Sequence, residues 1–228
     1  MNRLEIARIG GELANATADW LAERSHEGFS VSLLSEALLV IPIFYYFKQP
    51  NWKDYNLRGE WGDWGRPDIR PGDVNIDFVA EYGDDKLLLE FKYLKKSNDS
   101  RLIKDVVKLA LATDPRFARL LLVAHSNDHH VDGQSKSELL KHLLSAKRAV
   151  TFKLDQMIVT KKDKEMRIAT VTSDLDTPAR RHILSEKDGE AVAKIMNFEP
   201  RTTAFSVEHI YSCAKDKPLV TVLSVTRQ

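Results

Sequence analysis

Apolar positions recur first with the 3.6-residue period of a helix and later with the period of two that marks half-buried strands. Over residues 2–23, Leu4, Ile6, Ile9, Leu13, Ala16, Trp20 and Leu21 fall in helical spacing, and Gly10 and Gly11 soften the centre. A second helix is expected over 32–48, with a serine in cap position, a break or kink near Pro42, and apolar content high enough for burial. Residues 49–73 then change character, combining Gly59, Gly62, Gly65, Gly72, Pro50, Pro67 and Pro71 with Trp52, Trp61 and Trp64. This is a long connection with a strand expected near its start, and its tryptophans suit either an ordered binding flap or packing over the core.

The clearest hairpin follows, with strands at 74–82 and 86–94 around Gly83-Asp84-Asp85. A helix over 100–113, stopped by Pro115, leads to the run LLLVA within 119–125, which suits a central strand buried on both faces. A helix over 135–148, a hairpin at 151–160 and 166–173, one or two helices within 178–196 and closing strands at 204–211 and 219–226 complete the pattern. The expected fold is α/β. A mixed central sheet flanked by helices occupies 1–150, and an antiparallel, strand-rich extension over 151–228 packs on that core without folding independently.

A composition of 43% hydrophobic and 29% charged residues is that of a globular protein and excludes disorder, collagen and coiled coil. With 34 Lys and Arg against 33 Asp and Glu, the net charge of +1 provides no global field, so any polyanion must be bound locally. The single cysteine, Cys213, excludes an internal disulfide and a thiolate zinc site and fits a reducing compartment. It reads as a strand cysteine sharing a face with His209, four residues away, without forming a catalytic pair. No signal-peptide pattern opens the chain, and the longest apolar run, 37–47, falls far short of the roughly 20 residues that span a bilayer. The expected setting is cytoplasmic, without membrane association.

The chemistry concentrates in the hairpin. Asp77 interrupts Ile76 and Phe78, while Glu90 follows Leu87, Leu88 and Leu89. Alternation points Glu90 and Lys92 to one face and Phe91 to the other, and the turn sets Asp77 opposite residue 90 or 91. Buried without partners, these charges would cost several kcal/mol each, so they must pair or hold a cation. A divalent ion accounts for all three positions, because two carboxylates and the Phe91 carbonyl suit Mg²⁺ or Mn²⁺ with waters left for substrate. Lys92 then stands beside the water to be activated.

The pattern Asp77-x12-Glu90-x-Lys92 lies on adjacent strands, after a helix bearing a carboxylate and before a helix and a buried strand. It resembles the PD-(D/E)xK phosphodiesterase superfamily, the restriction-endonuclease-like fold, over roughly residues 30–125. The resemblance implies that Asp77 and Glu90 are metal ligands and that Lys92 is the catalytic lysine. It also implies that Glu36, the sole charge between Glu27 and Lys48, is the glutamate of the first core helix. Two departures stand out: Ile76 replaces the motif's proline, and the strand expected before the aspartate has only weak candidates in 49–73, where Glu60 is either a ligand or a loop carboxylate.

The implied activity is metal-dependent hydrolysis of phosphodiester bonds in DNA, or alternatively RNA, with a place in bacterial defence or repair. The alternatives are a catalytically silent member of the fold acting as a nucleic-acid-binding or assembly module, and a plain interaction protein. From Lys86 to Lys108 seven cations face three acids, and Lys95, Lys96, Arg101, Lys104 and Lys108 form either a phosphate track or a solvated face. His125, His129 and His130 read as a polar loop. A protein partner or a second copy of the chain remains an expected means of conferring specificity.

Overall fold

The computed structural model describes residues 1–27, 36–61, 75–94, 99–112, 116–125, 130–131, 134–135, 138–145, 148–161, 164–174, 180–183, 203–214 and 219–227. Its helices are α1 (Arg3–His26), α2 (Val40–Phe47), α3 (Asp99–Leu111) and α4 (Glu138–Ser145). Its strands are β1 (Asn56–Trp61), β2 (Ile76–Tyr82), β3 (Asp85–Leu94), β4 (Phe117–His125), β5 (His130–Val131), β6 (Gln134–Ser135), β7 (Val150–Lys161), β8 (Lys164–Ser173), β9 (Arg180–Ile183), β10 (Thr203–Ala214) and β11 (Leu219–Arg227). Nine of them form one sheet in the order β1-β2-β3-β4-β11-β10-β7-β8-β9, while β5 and β6 pair separately. The chain is a mixed α/β protein.

Every pairing in the large sheet is antiparallel except β3 with β4. A parallel pair cannot be joined by a tight turn, so the chain must cross over, and α3 is that crossover. The β2–β3 hairpin closes at Tyr82 opposite Asp85, leaving Gly83 and Asp84 as a two-residue turn. Gly83 sits at φ 55°, where a side chain would be strained. This turn sets Phe78 opposite Leu89 and so brings Asp77 level with Glu90.

Two apolar layers enclose the sheet. On one face, α1 and α2 bury Ile9, Leu13, Ile43 and Phe47 against Phe78, Leu87, Leu89, Phe91 and Val222. On the other, α3 and α4 bury Leu102, Val106, Leu140 and Leu143 against Val79, Leu88, Leu121, Val123 and Leu223. The α1 helix starts at a true cap, Asn2 accepting from the Glu5 N–H at 2.9 Å. Its Gly10 lies where helix and sheet meet: a Cβ there would stand 3.0 Å from Ile210 Cγ2 and 3.2 Å from Val222 Cγ1. The glycine that weakens the helical pattern therefore permits the close approach.

Several sequence expectations change. Instead of running from 32 to 48 with a kink, α2 begins at Val40 after a 3₁₀ turn, Glu36–Leu39. Pro42 falls in its first turn, where the missing N–H costs little. The strand sought in 49–73 is present as β1, on the sheet edge beside β2. Within 178–196, where helices were expected, Arg180–Ile183 is a strand added to β8, because an open sheet edge offers the backbone a ladder that local periodicity does not announce. Finally, a bulge between His209 and Tyr211 breaks the alternation. It aligns Ser212 rather than Cys213 with His209, whose Nε2 lies 2.9 Å from Ser212 Oγ, while Cys213 packs toward the α1 layer.

Candidate functional site

The β2–β3 hairpin positions the acids and α3 supplies what faces them. The Asp77 carboxylate Oδ2 accepts the Phe91 N–H at 3.0 Å, tying β2 to β3 through a side chain. Glu90, 1% exposed, projects from β3 toward α3, where Lys108 Nζ lies 2.6 Å from its Oε1. Lys92, two residues along the same face, reaches Asp105 Oδ2 at 2.9 Å. Lys108 also approaches Asp105 Oδ1 at 3.4 Å and donates to the Asn75 carbonyl at 3.0 Å. Three acids and two lysines thus meet between sheet and helix.

The local sequence explains the arrangement. Leu102, Asp105, Val106 and Leu109 follow one helical stripe, so the face that buries α3 also carries Asp105 inward. Lys108 is one turn further on, at i+3, and its aliphatic stem runs through the same apolar layer. Both are buried, as is Glu90.

Electrostatics make the acid pair costly. Burial, helped by the Asp105 and Asp77 charges, raises the Glu90 pKa well above the usual carboxylate range despite Lys108. Burial likewise raises Asp77, with Lys108 and the Phe91 N–H opposing it. For Lys108, burial works to lower the pKa, but the Glu90, Asp105 and Asp77 carboxylates more than offset it, so this ammonium stays charged. Asp77 and Glu90 stand level on the adjacent strands β2 and β3, and the negative charge of each disfavours ionisation of the other. Among the described residues neither Glu90 oxygen nor Asp105 Oδ2 has a hydrogen bond, although Lys108 and Lys92 pair with these acids at 2.6 and 2.9 Å.

Of the expected site residues, the structure brings together Asp77, Glu90 and Lys92, with Phe91 contributing its backbone N–H and turning its ring to the opposite layer. Glu36 opens the 3₁₀ turn whose Leu39 packs in that opposite layer; its side chain lies outside the described residues. Glu60 belongs to β1, also with its side chain outside the described residues. Lys95, Lys96 and His129 are outside them as well, and so are the side chains of His125 and His130. Along α3, Arg101 is exposed and Lys104 half-buried. Lys108, expected on the phosphate track, is instead buried and committed to Glu90, Asp105 and Asn75, because its turn of the helix faces the sheet.

Sequence reasoning missed Asp105 and the inward role of Lys108. The readable signal was a charge of each sign on the apolar stripe of a strongly amphipathic helix. Among the described residues no three His, Cys, Asp or Glu side chains are arranged to hold a metal ion, and no helix is long and apolar enough to cross a membrane. Comparison of the chain with protein-family models, curated proteins and solved structures finds no match.

Proposed function

We propose that the protein is a metal-dependent nuclease that hydrolyses phosphodiester bonds of DNA, or alternatively RNA, at Asp77, Glu90 and Lys92, in keeping with the resemblance to the PD-(D/E)xK superfamily. One observation carries the reading: among the described residues neither buried oxygen of the Glu90 carboxylate has a hydrogen bond, and Glu90 stands level with Asp77 on the adjacent strand. A protein does not bury such an oxygen without something positive to meet it. The donors are hard oxygens, which fits Mg²⁺ or Mn²⁺. An ion held by only two carboxylates is ordinary for Mg²⁺, which keeps waters and takes the rest of its shell from substrate.

When bound, such an ion supplies Lewis acidity for activating water and for withdrawing charge from a phosphoryl oxygen. Asp77 and Glu90 would hold it, with Asp77 oriented by the Phe91 N–H and Glu90 by Lys108. Lys92 lies on the Glu90 face of β3 and pairs with Asp105; from there it would stabilise charge developing on the phosphate. Asp105 is the positioning residue that fixes its ammonium. Arg101 and Lys104 on α3 are the described residues proposed to contact the nucleic-acid backbone.

A second reading, a catalytically silent nucleic-acid-binding or assembly module, is favoured by the same Lys92–Asp105 pair, since an ion-paired lysine is also what a purely structural network contains. Two variants separate the readings. Lys92→Ala is expected to keep Mn²⁺ binding while cleaving about a hundredfold more slowly or worse, the scale of losing one placed electrostatic group. Asp77→Ala is expected to lose both metal and activity. If both lose activity only together with the cooperative melt, the residues are structural and the silent module stands.

A further inference from the structure

We infer that the cleft beneath the first turns of α1 binds a small organic monoanion, a carboxylate carried on a compact apolar body. The cleft lies on the α1 face of the sheet, whereas Glu90 and Lys108 meet under α3, so it is separate from the site proposed above. The local sequence explains why space is left there. Gly10 brings α1 close onto Ile210 and Val222, and Ile6 and Arg3 stand one and two turns earlier on the same stripe. Beneath them the sheet changes from large to small side chains. On the α1 face Leu122 and Leu120 of β4 give way to Ala118, and Val222 of β11 gives way to Ser224. Helix and sheet therefore part, leaving a cavity of about 330 Å³. That volume falls within the roughly 300–1,000 Å³ of small-molecule sites.

The cavity has an apolar wall and a cationic mouth. Ile6 and Ile210 form the wall, and Ser224 and Thr226 add hydroxyls that can meet a polar ligand atom. Among the described lining side chains Arg3 and Arg116 stand against Glu208, an excess of one positive charge. Arg119, also on the lining, sends its guanidinium to the Ala112 carbonyl in the α3 layer. Arg3, 80% exposed, pairs with Glu208, and Arg116, 50% exposed, pairs with Asp84, which is 86% exposed. Exposed pairs contribute little, so exchanging one for a ligand carboxylate costs little. The guanidinium fork then holds both oxygens of the ligand in parallel. Charge selects among anions, because one carboxylate neutralises the mouth while a dianion brings its second charge against Glu208.

The test is calorimetric titration of the full chain with phenylacetate, beside neutral 2-phenylethanol and phenyl phosphate, the last a dianion at a pH well above its second pKa of about 6. The expected result is a dissociation constant of about 1 mM or tighter for phenylacetate, a value within reach of a ligand this small. Binding should be about tenfold weaker or worse for both analogues and for phenylacetate with Arg3→Gln/Arg116→Gln, as befits loss of charged hydrogen bonds. Both arginines are exposed, so that double variant is expected to keep its cooperative melt. Ser224→Phe fills the cavity from the sheet side and should abolish binding; if it does not fold, the arginine variant decides alone. Asp77→Ala should bind phenylacetate unchanged, and its loss there would place the ligand under α3 and overturn the inference. Equal binding of 2-phenylethanol, unchanged binding by the folded arginine variant, or no phenylacetate binding overturns it too. Tighter binding of phenyl phosphate overturns the choice of a monoanion.

Discussion

A buried glutamate such as Glu90 is tolerated because Lys108 stands 2.6 Å away, and the two are not interchangeable in their effects. Removing one partner of a buried pair strands the other, at a cost of about 3–5 kcal/mol. Lys108→Ala should therefore lower the melting temperature far more than replacement of an exposed pair such as Arg8–Glu12. His209 offers a separate test at the same scale. Burial lowers its pKa from 6.5, so the folded state prefers the neutral ring. A depressed histidine contributes stability that is complete above the unfolded value and is lost as pH falls through the folded one. Stability should thus decline as pH drops below about 6.5, and His209→Gln should flatten that part of the profile in a melting series. An unchanged slope would place the titrating group elsewhere.

Among the elements, α1 shows how a helix can be weakened in propensity and still be the right helix. A Cβ at Gly10 would crowd Ile210 and Val222 at 3.0 and 3.2 Å, so these side chains would have to shift, whereas a Cβ at Gly11 would meet Tyr211 only at ordinary contact distance, 3.8 Å. Each Gly→Ala change favours the helix by about 1 kcal/mol. Gly11→Ala should realise most of that gain, while at Gly10 overpacking of about 1–3 kcal/mol should cancel or reverse it. Chemical denaturation of the two variants measures the difference, and equal stabilisation would mean that α1 does not approach the sheet this closely. What could be read from sequence follows the same division. Strand alternation sufficed to put Glu90 and Lys92 on one face and Asp77 opposite, because a hairpin with a two-residue turn fixes its own register. Asp105 stayed hidden as a site residue because a charge on a helix has no partner until the helix docks. The bulge at His209 and the edge strand Arg180–Ile183 stayed hidden because both answer to neighbouring strands and not to their own pattern.

For the molecule as a whole, the closing strand is not peripheral. β11 lies between β4 and β10 and joins the hairpin side of the sheet to the strands that follow residue 150. Its Val220 and Val222 enter one apolar layer, its Leu223 and Val225 the other. No local pattern announces such a position, since it is set by pairing between residues about a hundred apart in sequence. The same sheet gives the candidate site a rigid floor, with β3 central enough to bury Glu90 and α3 pressed over it. Such a floor would let the two carboxylates stay together for the proposed ion rather than relax apart. The nuclease reading requires the proposed ion. Its most direct test is cleavage of labelled single-stranded DNA, duplex DNA and RNA by the unaltered protein and by Asp77→Ala in Mg²⁺, Mn²⁺, Ca²⁺ and chelator. Cleavage of at least one substrate by the unaltered protein in Mg²⁺ or Mn²⁺, little in Ca²⁺, and none in chelator or with Asp77→Ala is the result expected. Equal cleavage in chelator, or no cleavage of any substrate in either ion, would contradict it.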